Sequence, residues 1–188
     1  MRVLGISGKR GSGKSLLADA LQQSHGFVRL SLATPLKEMC KRDYHLTDDQ
    51  VYGIFKEHPT QYKRTDGSFF TPRDILIREG CLKRSIDKDF WLKKLHLDIK
   101  FAMTKGHENF VIDDIRFLNE IAYLYVNFGA KFARIEREQK LNVFKAAMDD
   151  TSECELDTYR DWDFYLPSNK NRVPNDLKKF AKQIAKGF

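Results

Sequence analysis

Short apolar runs alternate along the chain with longer stretches whose apolar residues recur every three to four positions. The runs are Val3-Leu4-Gly5-Ile6, Phe110-Val111-Ile112 and Lys131 to Ile135, too short for helices and rich in β-branched and aromatic residues. They predict buried strands. Phe27 to Ser31 reads as another strand, and Trp162, Phe164 and Leu166 alternate like a short one that ends at Pro167. Between the runs the period is helical. Leu92, Leu95, Ile99, Ala102 and Met103 share one face, as do Leu177, Phe180, Ala181 and Ile184. A first helix follows Ser15 and stops at His25-Gly26; Gly106 and Gly129 stop two later ones. Thr34-Pro35, Thr47-Asp48-Asp49-Gln50 and Thr71-Pro72-Arg73-Asp74 carry the cap-first forms that open helices. Helices are thus expected from Thr34, from Thr47, over Thr71–Ser85, Asp87–Thr104, Glu120–Phe128 and Glu138–Met148, and from about Asn175. Residues 57–70 read as a loop, and Asp149–Asp161 is acidic, polar and without a period. Strands alternating with helices predict an α/β fold with a parallel sheet covered on both faces. Ligands of such sheets bind at the carboxyl ends of the strands.

Length and charge narrow this only a little. A chain of 188 residues suits one domain with a small insertion. No apolar run approaches the roughly 18 residues of a membrane span, and the chain enters a strand at Arg2-Val3 without an apolar leader, so a cytoplasmic protein is expected. Cys40, Cys81 and Cys154 are odd in number and lack metal spacing, so they read as reduced thiols. A net charge of +7 fits an anionic ligand, nucleotide or nucleic acid. The lysines are scattered rather than striped, which favours an ordinary solvated surface.

The chemistry begins at the first strand's end. Gly8-Lys9-Arg10-Gly11-Ser12-Gly13-Lys14-Ser15 fits the phosphate-binding loop G-x-x-x-x-G-K-[ST] at every position, between a predicted strand and a predicted helix. The glycines let backbone N–H groups curl around a polyphosphate, and the helix N-terminus adds partial positive charge. Gly8, Arg10, Gly11, Ser12, Gly13, Lys14 and Ser15 are therefore candidate polyphosphate-binding residues, with Lys14 on the terminal phosphates and Ser15 on Mg2+. Asp113 and Asp114 end a later apolar strand, where a magnesium-site carboxylate belongs; either could be the one. Arg116 follows closely, and Arg134 and Arg137 sit at the end of the next strand, placed to offset charge on a migrating phosphoryl group. A second cluster is Arg73, Arg78 and Arg84. Arg73 and Arg84 lie eleven residues apart, close to three helical turns, and share a face suited to a monophosphate, while Arg78 points elsewhere. Tyr62, Phe69, Phe70, Phe90 and Trp91 are aromatic candidates for a base, though most aromatics at such spacing are core.

Together these segments resemble the phage-type deoxynucleoside monophosphate kinases over most of the chain. The phosphate loop, Leu32-Ala33-Thr34-Pro35-Leu36-Lys37, Thr71-Pro72-Arg73 with Gly80, Arg84 and Phe90-Trp91, Asp114-Ile115-Arg116-Phe117-Leu118-Asn119-Glu120, Arg134 to Arg137 and Ser152-Glu153 carry the resemblance. It implies the nucleoside monophosphate kinase variant of the three-layer P-loop sandwich, with a central parallel sheet, as a single domain over 1–188. An acceptor-binding helical insertion is expected at about 34–104 and a lid-like segment at about 134–160. It implies ATP and Mg2+ as cofactors and a nucleoside or deoxynucleoside monophosphate as substrate. Lys14, Asp114, Arg116, Arg134 and Arg137 would be catalytic, and Lys37, Arg73, Arg78, Arg84, Trp91 and Glu153 would bind substrate. Ser15 and Asp114 would hold the metal. No membrane or nucleic-acid partner is implied, a homodimer is compatible with it, and a phage-encoded member would work in the host cytoplasm. The family's histidine before the serine-glutamate pair is Thr151 here, and Cys81 and Leu82 replace its threonine and acid. Two other readings remain: a P-loop kinase of another small phosphate, phosphomevalonate-like, and a nucleotide-switched nucleic-acid-binding protein.

Overall fold

The structure, a computed structural model, describes residues 1–136, 155–169 and 173–188. The helix expected at Glu138–Met148, together with Arg137, Thr151, Ser152, Glu153 and Cys154, lies outside the described residues. Five strands form one parallel sheet: β1 (Arg2–Ser7), β2 (Val28–Leu30), β3 (Asn109–Ile115), β4 (Lys131–Ile135) and β5 (Phe164–Leu166). Their order is β2-β3-β1-β4-β5, so the glycine loop leaves the central strand between two parallel neighbours. The helices are α1 (Lys14–His25), α2 (Ala33–Tyr44), α3 (Asp48–Val51), α4 (Pro72–Ile86), α5 (Phe90–Thr104), α6 (Leu118–Phe128) and α7 (Pro174–Lys186). The chain divides into two compact units, Met1–Ser31 with His96–Phe188, and Leu32–Leu95. Among the described residues no helix is long and apolar enough to cross a membrane.

In the first unit the alternation within β1 decides which helix packs where. Leu4 and Ile6 turn to one face and join Ala133 and Ile135 of β4 under Leu17, Ala18 and Leu21 of α1 and Leu177, Phe180, Ala181 and Ile184 of α7. Each leucine, isoleucine or phenylalanine so buried contributes about 1.5–3 kcal/mol. The apolar face read for the last helix is the one buried. Gly5, on the opposite face, is required by packing: a Cβ there would lie 2.6 Å from the Phe132 ring.

Asp113 and Asp114 come at the end of β3 as expected, and the strand runs one residue further, to Ile115. Gly5 faces Ile112 and Ser7 faces Ile115, so β3 takes three steps against two of β1. The extra residue falls in the aspartate pair. Such a bulge re-aims side chains that would otherwise alternate.

In the second unit, Cys40, Leu46, Val51, Ile75 and Leu76 form a separate small core. Thr47 and Thr71 are N-caps with full capping boxes, completed by Gln50 and Asp74. α2 differs: it starts at Ala33, so Thr34 and Pro35 lie inside its first turn instead of capping it. Proline is tolerated there because N–H groups of a first turn have no helical partner.

Candidate active site

The loop from Gly8 to Ser15 is held by its own backbone. Gly11 and Gly13 have φ of 78° and 103°, a left-handed conformation open to glycine at little cost. Ser12 N–H donates to Lys9 O at 3.1 Å, and α1 begins at once with Leu17 N–H on Gly13 O at 3.0 Å. Gly8 is a close approach: a Cβ there would sit 2.4 Å from the Ile135 carbonyl oxygen and 2.7 Å from Ser12 Oγ. The Lys14 ammonium lies over the loop, donating to Gly8 O and, at 2.9 Å, to Lys9 O. Arg10 is exposed at the loop's outer bend.

Ser15 Oγ donates to Asp113 Oδ2 at 3.3 Å. Asp114 Oδ2 instead accepts from Ser31 Oγ at 2.7 Å, on the β2 side. The structure therefore sets Asp113, not Asp114, against the loop serine, and the bulge is the reason the two neighbouring carboxylates find different partners. Arg29, which no sequence motif flagged, donates to Asp113 and, at 2.7 Å, to Asp19. Burial works to lower the Arg29 pKa, but the hydrogen bond and charge of Asp113, with those of Asp19, outweigh it and hold the guanidinium above its ordinary value.

Two further carboxylates brace the site. Glu120, 3% exposed, accepts from the backbone N–H of Arg116 at 2.7 Å and of Phe117 at 3.1 Å, so the last residue of the Asp114–Glu120 motif pins the turn that carries Arg116. Asp157 pairs with Lys9 at 3.0 Å and with Arg134 at 2.7 Å. Arg134 is buried; its other fork donates to Ser7 Oγ at 3.1 Å, at the root of the loop, and its guanidinium lies 5.7 Å from the Trp162 ring. The segment carrying Asp157 has no hydrophobic period, so the one signal in the sequence was its acidity.

In the second unit, Arg73 and Arg84 lie on α4 as expected, and Arg73 is ion-paired with Glu57. Arg78 stacks over Phe70 at 5.6 Å. Arg84 is half-buried, its guanidinium 3.7 Å from where a Cβ on Gly80 would stand. Lys37 lies over the Tyr52 ring at 4.4 Å. Trp91 is buried, and its indole N–H donates to Gly80 O at 3.3 Å, so its ring packs within this unit. Glu79, also buried, accepts from Tyr44 Oη at 2.6 Å; that bond, then burial, pushes the Tyr44 phenol up to about 12. Burial, with the charges of Glu79 and Asp43, raises the Cys40 thiol to about 12 and leaves it a poor nucleophile.

No protein-family model matches the chain. A solved sugar kinase from Janibacter sp. HTCC2649 superposes with a TM-score of 0.50 at 13% identity, covering 97% of this chain and 93% of that one, a likeness of fold. Dephospho-CoA kinase from Campylobacter jejuni gives 0.49 at 13% identity, covering 98% and 96%. In sequence, the chain is 31% identical over 196 residues to a protein of Acanthamoeba polyphaga mimivirus named "Putative deoxynucleotide monophosphate kinase", covering 98% of this chain and 94% of the relative. A phosphate loop on the central strand of a 2-3-1-4-5 parallel sheet and near-full-length similarity at that level agree: the chain belongs to the deoxynucleotide monophosphate kinase family of P-loop phosphotransferases.

Proposed function

We propose that the protein transfers the terminal phosphoryl group of ATP to a nucleoside or deoxynucleoside 5′-monophosphate, giving the diphosphate. The observation that carries the donor half is the Ser15 hydroxyl set 3.3 Å from the Asp113 carboxylate, at the start of α1 and beneath a loop whose lysine lies over it. That pair offers oxygen donors only, the chemistry Mg2+ prefers, so the residues present fit the ion. When bound with the nucleotide, Mg2+ would neutralise charge on the phosphate oxygens. In this reading Ser15 holds the ion and Asp113 accepts from its water shell, while Asp114 anchors Ser31.

The protein's own part is positioning and charge. The loop amides and Lys14 grip the donor phosphates. Arg116, on its pinned turn, and Arg137 offset charge on the moving group. Arg134 acts from below, bracing Ser7 and, through Asp157, the Lys9 side of the loop. An acceptor phosphate oxygen is already a competent nucleophile, so no general base is invoked. Arg73, Arg78 and Arg84 of α4 remain the candidates for the acceptor phosphate; Arg73 pairs with Glu57, Arg78 lies over Phe70, and Arg84 stands half-buried beside Gly80. Lys37 and Glu153 keep their expected substrate-side roles; Trp91, turned into the packing of its unit, is left out.

A coupled ADP-release assay over a panel of nucleoside and deoxynucleoside monophosphates, with phosphomevalonate as control, tests the proposal. Turnover is expected with one or more nucleotides, with none on the control. Arg84→Ala is expected to raise the acceptor KM at least tenfold while leaving ATP affinity unchanged. Turnover on phosphomevalonate alone would replace the acceptor class, and an unaltered acceptor response in the variant would remove Arg84 from the site.

A further inference from the structure

Arg29 ties together parts of the donor site without belonging to any motif. It sits in the middle of β2. One fork of its guanidinium reaches Asp113 in the β3 bulge, and the other reaches Asp19 on α1. Asp19 lies one turn beyond Ser15 on the same helix. Asp113 is 7% exposed, and its Oδ2 accepts from both Arg29 and Ser15. A single planar cation thus holds both the carboxylate bonded to the loop serine and a second one a helical turn further along α1. A forked guanidinium is suited to bridging them; an ammonium is a point charge.

We propose that Arg29 is a positioning residue for the metal-side carboxylate. It aims Asp113 at Ser15, and by balancing Asp113 and Asp19 it prevents the protein from holding a bare divalent cation, so that the ion enters only together with a polyphosphate. The inference rests on the reading of Ser15 and Asp113 as the metal-side pair. Its logic is electrostatic. With the guanidinium in place, the three groups carry a net charge of −1, and Asp113 Oδ2 and Asp19 Oδ1 are engaged by it. Without it, two carboxylates and a hydroxyl form a hard oxygen set of charge −2, which a divalent cation binds readily. Among the described residues no group of three or more acidic, histidine or cysteine side chains could hold a metal by itself.

The test uses Mn2+ alone, titrated into the nucleotide-free protein, with free Mn2+ read by electron paramagnetic resonance. The wild type is expected to retain no Mn2+ at micromolar concentration. Arg29→Gln is expected to bind it at least tenfold more tightly, and adding Asp19→Asn to that variant is expected to reverse the gain. A merely structural ion pair would move only the thermal midpoint, so Arg29→Gln with unchanged Mn2+ retention overturns the proposal. Should that variant fail to fold, Arg29→Lys carries the test: it keeps the charge but reaches one carboxylate only, and it is expected to weaken Mn·ATP binding severalfold. Wild-type Mn·ATP affinity in Arg29→Lys overturns the positioning role. Asp113→Asn separates the two layers. If it leaves Mn·ATP affinity unchanged, the reading of the Ser15–Asp113 pair falls; if it weakens that affinity while Arg29→Gln behaves as wild type, only the role of Arg29 falls.

Discussion

Lys14→Ala is expected to slow phosphoryl transfer by roughly 10²–10³-fold, about 2.7–4 kcal/mol of transition-state stabilisation, the cost of losing one preorganised electrostatic donor. The ammonium lies over the loop on the carbonyls of Gly8 and Lys9. Its stem rises from the first residue of α1, so the charge is delivered by a rigid element and not by a swinging chain. That preorganisation is why the loss should fall mainly on kcat. A lysine that served only to tie the loop would, when removed, lower the thermal midpoint and leave turnover per folded molecule intact. Single-turnover rates measured beside a melting curve distinguish the two, and near-wild-type turnover would remove Lys14 from the chemistry.

Gly8→Ala is expected to weaken ATP binding at least tenfold and to destabilise the fold by about 1–3 kcal/mol, the usual cost of overpacking. The added methyl would stand 2.4 Å from the carbonyl oxygen of Ile135. Ile135 is paired through β4 with Leu166 of β5 and cannot retreat without breaking the sheet. The loop must move instead, and its amides move with it. Gly11→Ala is the internal control. Both glycines have a positive φ unfavourable to alanine, 152° at Gly8 and 78° at Gly11, at about 1–2 kcal/mol, but nothing lies within 4 Å of the methyl added at Gly11. Calorimetric titration with ATP should therefore show a much larger loss for Gly8→Ala than for Gly11→Ala. Equal losses would mean that backbone conformation, not the contact with β4, governs the loop.

Much of this architecture was legible from residue pattern. β1 and β4 stood out because central strands of a parallel sheet are apolar on both faces. α4 and α7 stood out because a threonine cap or a one-sided apolar stripe is local information. The donor loop is local too, being eight consecutive residues. What was not legible depends on pairing between distant segments. The choice between Asp113 and Asp114 turns on a bulge that exists only because β3 lies against β1. Arg29 looks like any strand arginine until Asp19 and Asp113 are brought to it from ten and 84 residues away. Asp157 belongs to a segment with no period and acquires meaning only from Lys9 and Arg134. Arg73 and Arg84 both lie on α4, but spacing could not reveal that Glu57 would pair with the first of them.

The last helix leans on the first loop, and this affects how the molecule is made. A Cβ on Gly13 would lie 3.1 Å from Leu177, and α7 covers α1 along the rest of its apolar face. The phosphate loop is synthesised some 160 residues before its supporting wall. Until α7 has docked, the loop lacks that wall. A chain cut short after β5 would keep every residue of the donor motif and lack the surface that holds it in shape.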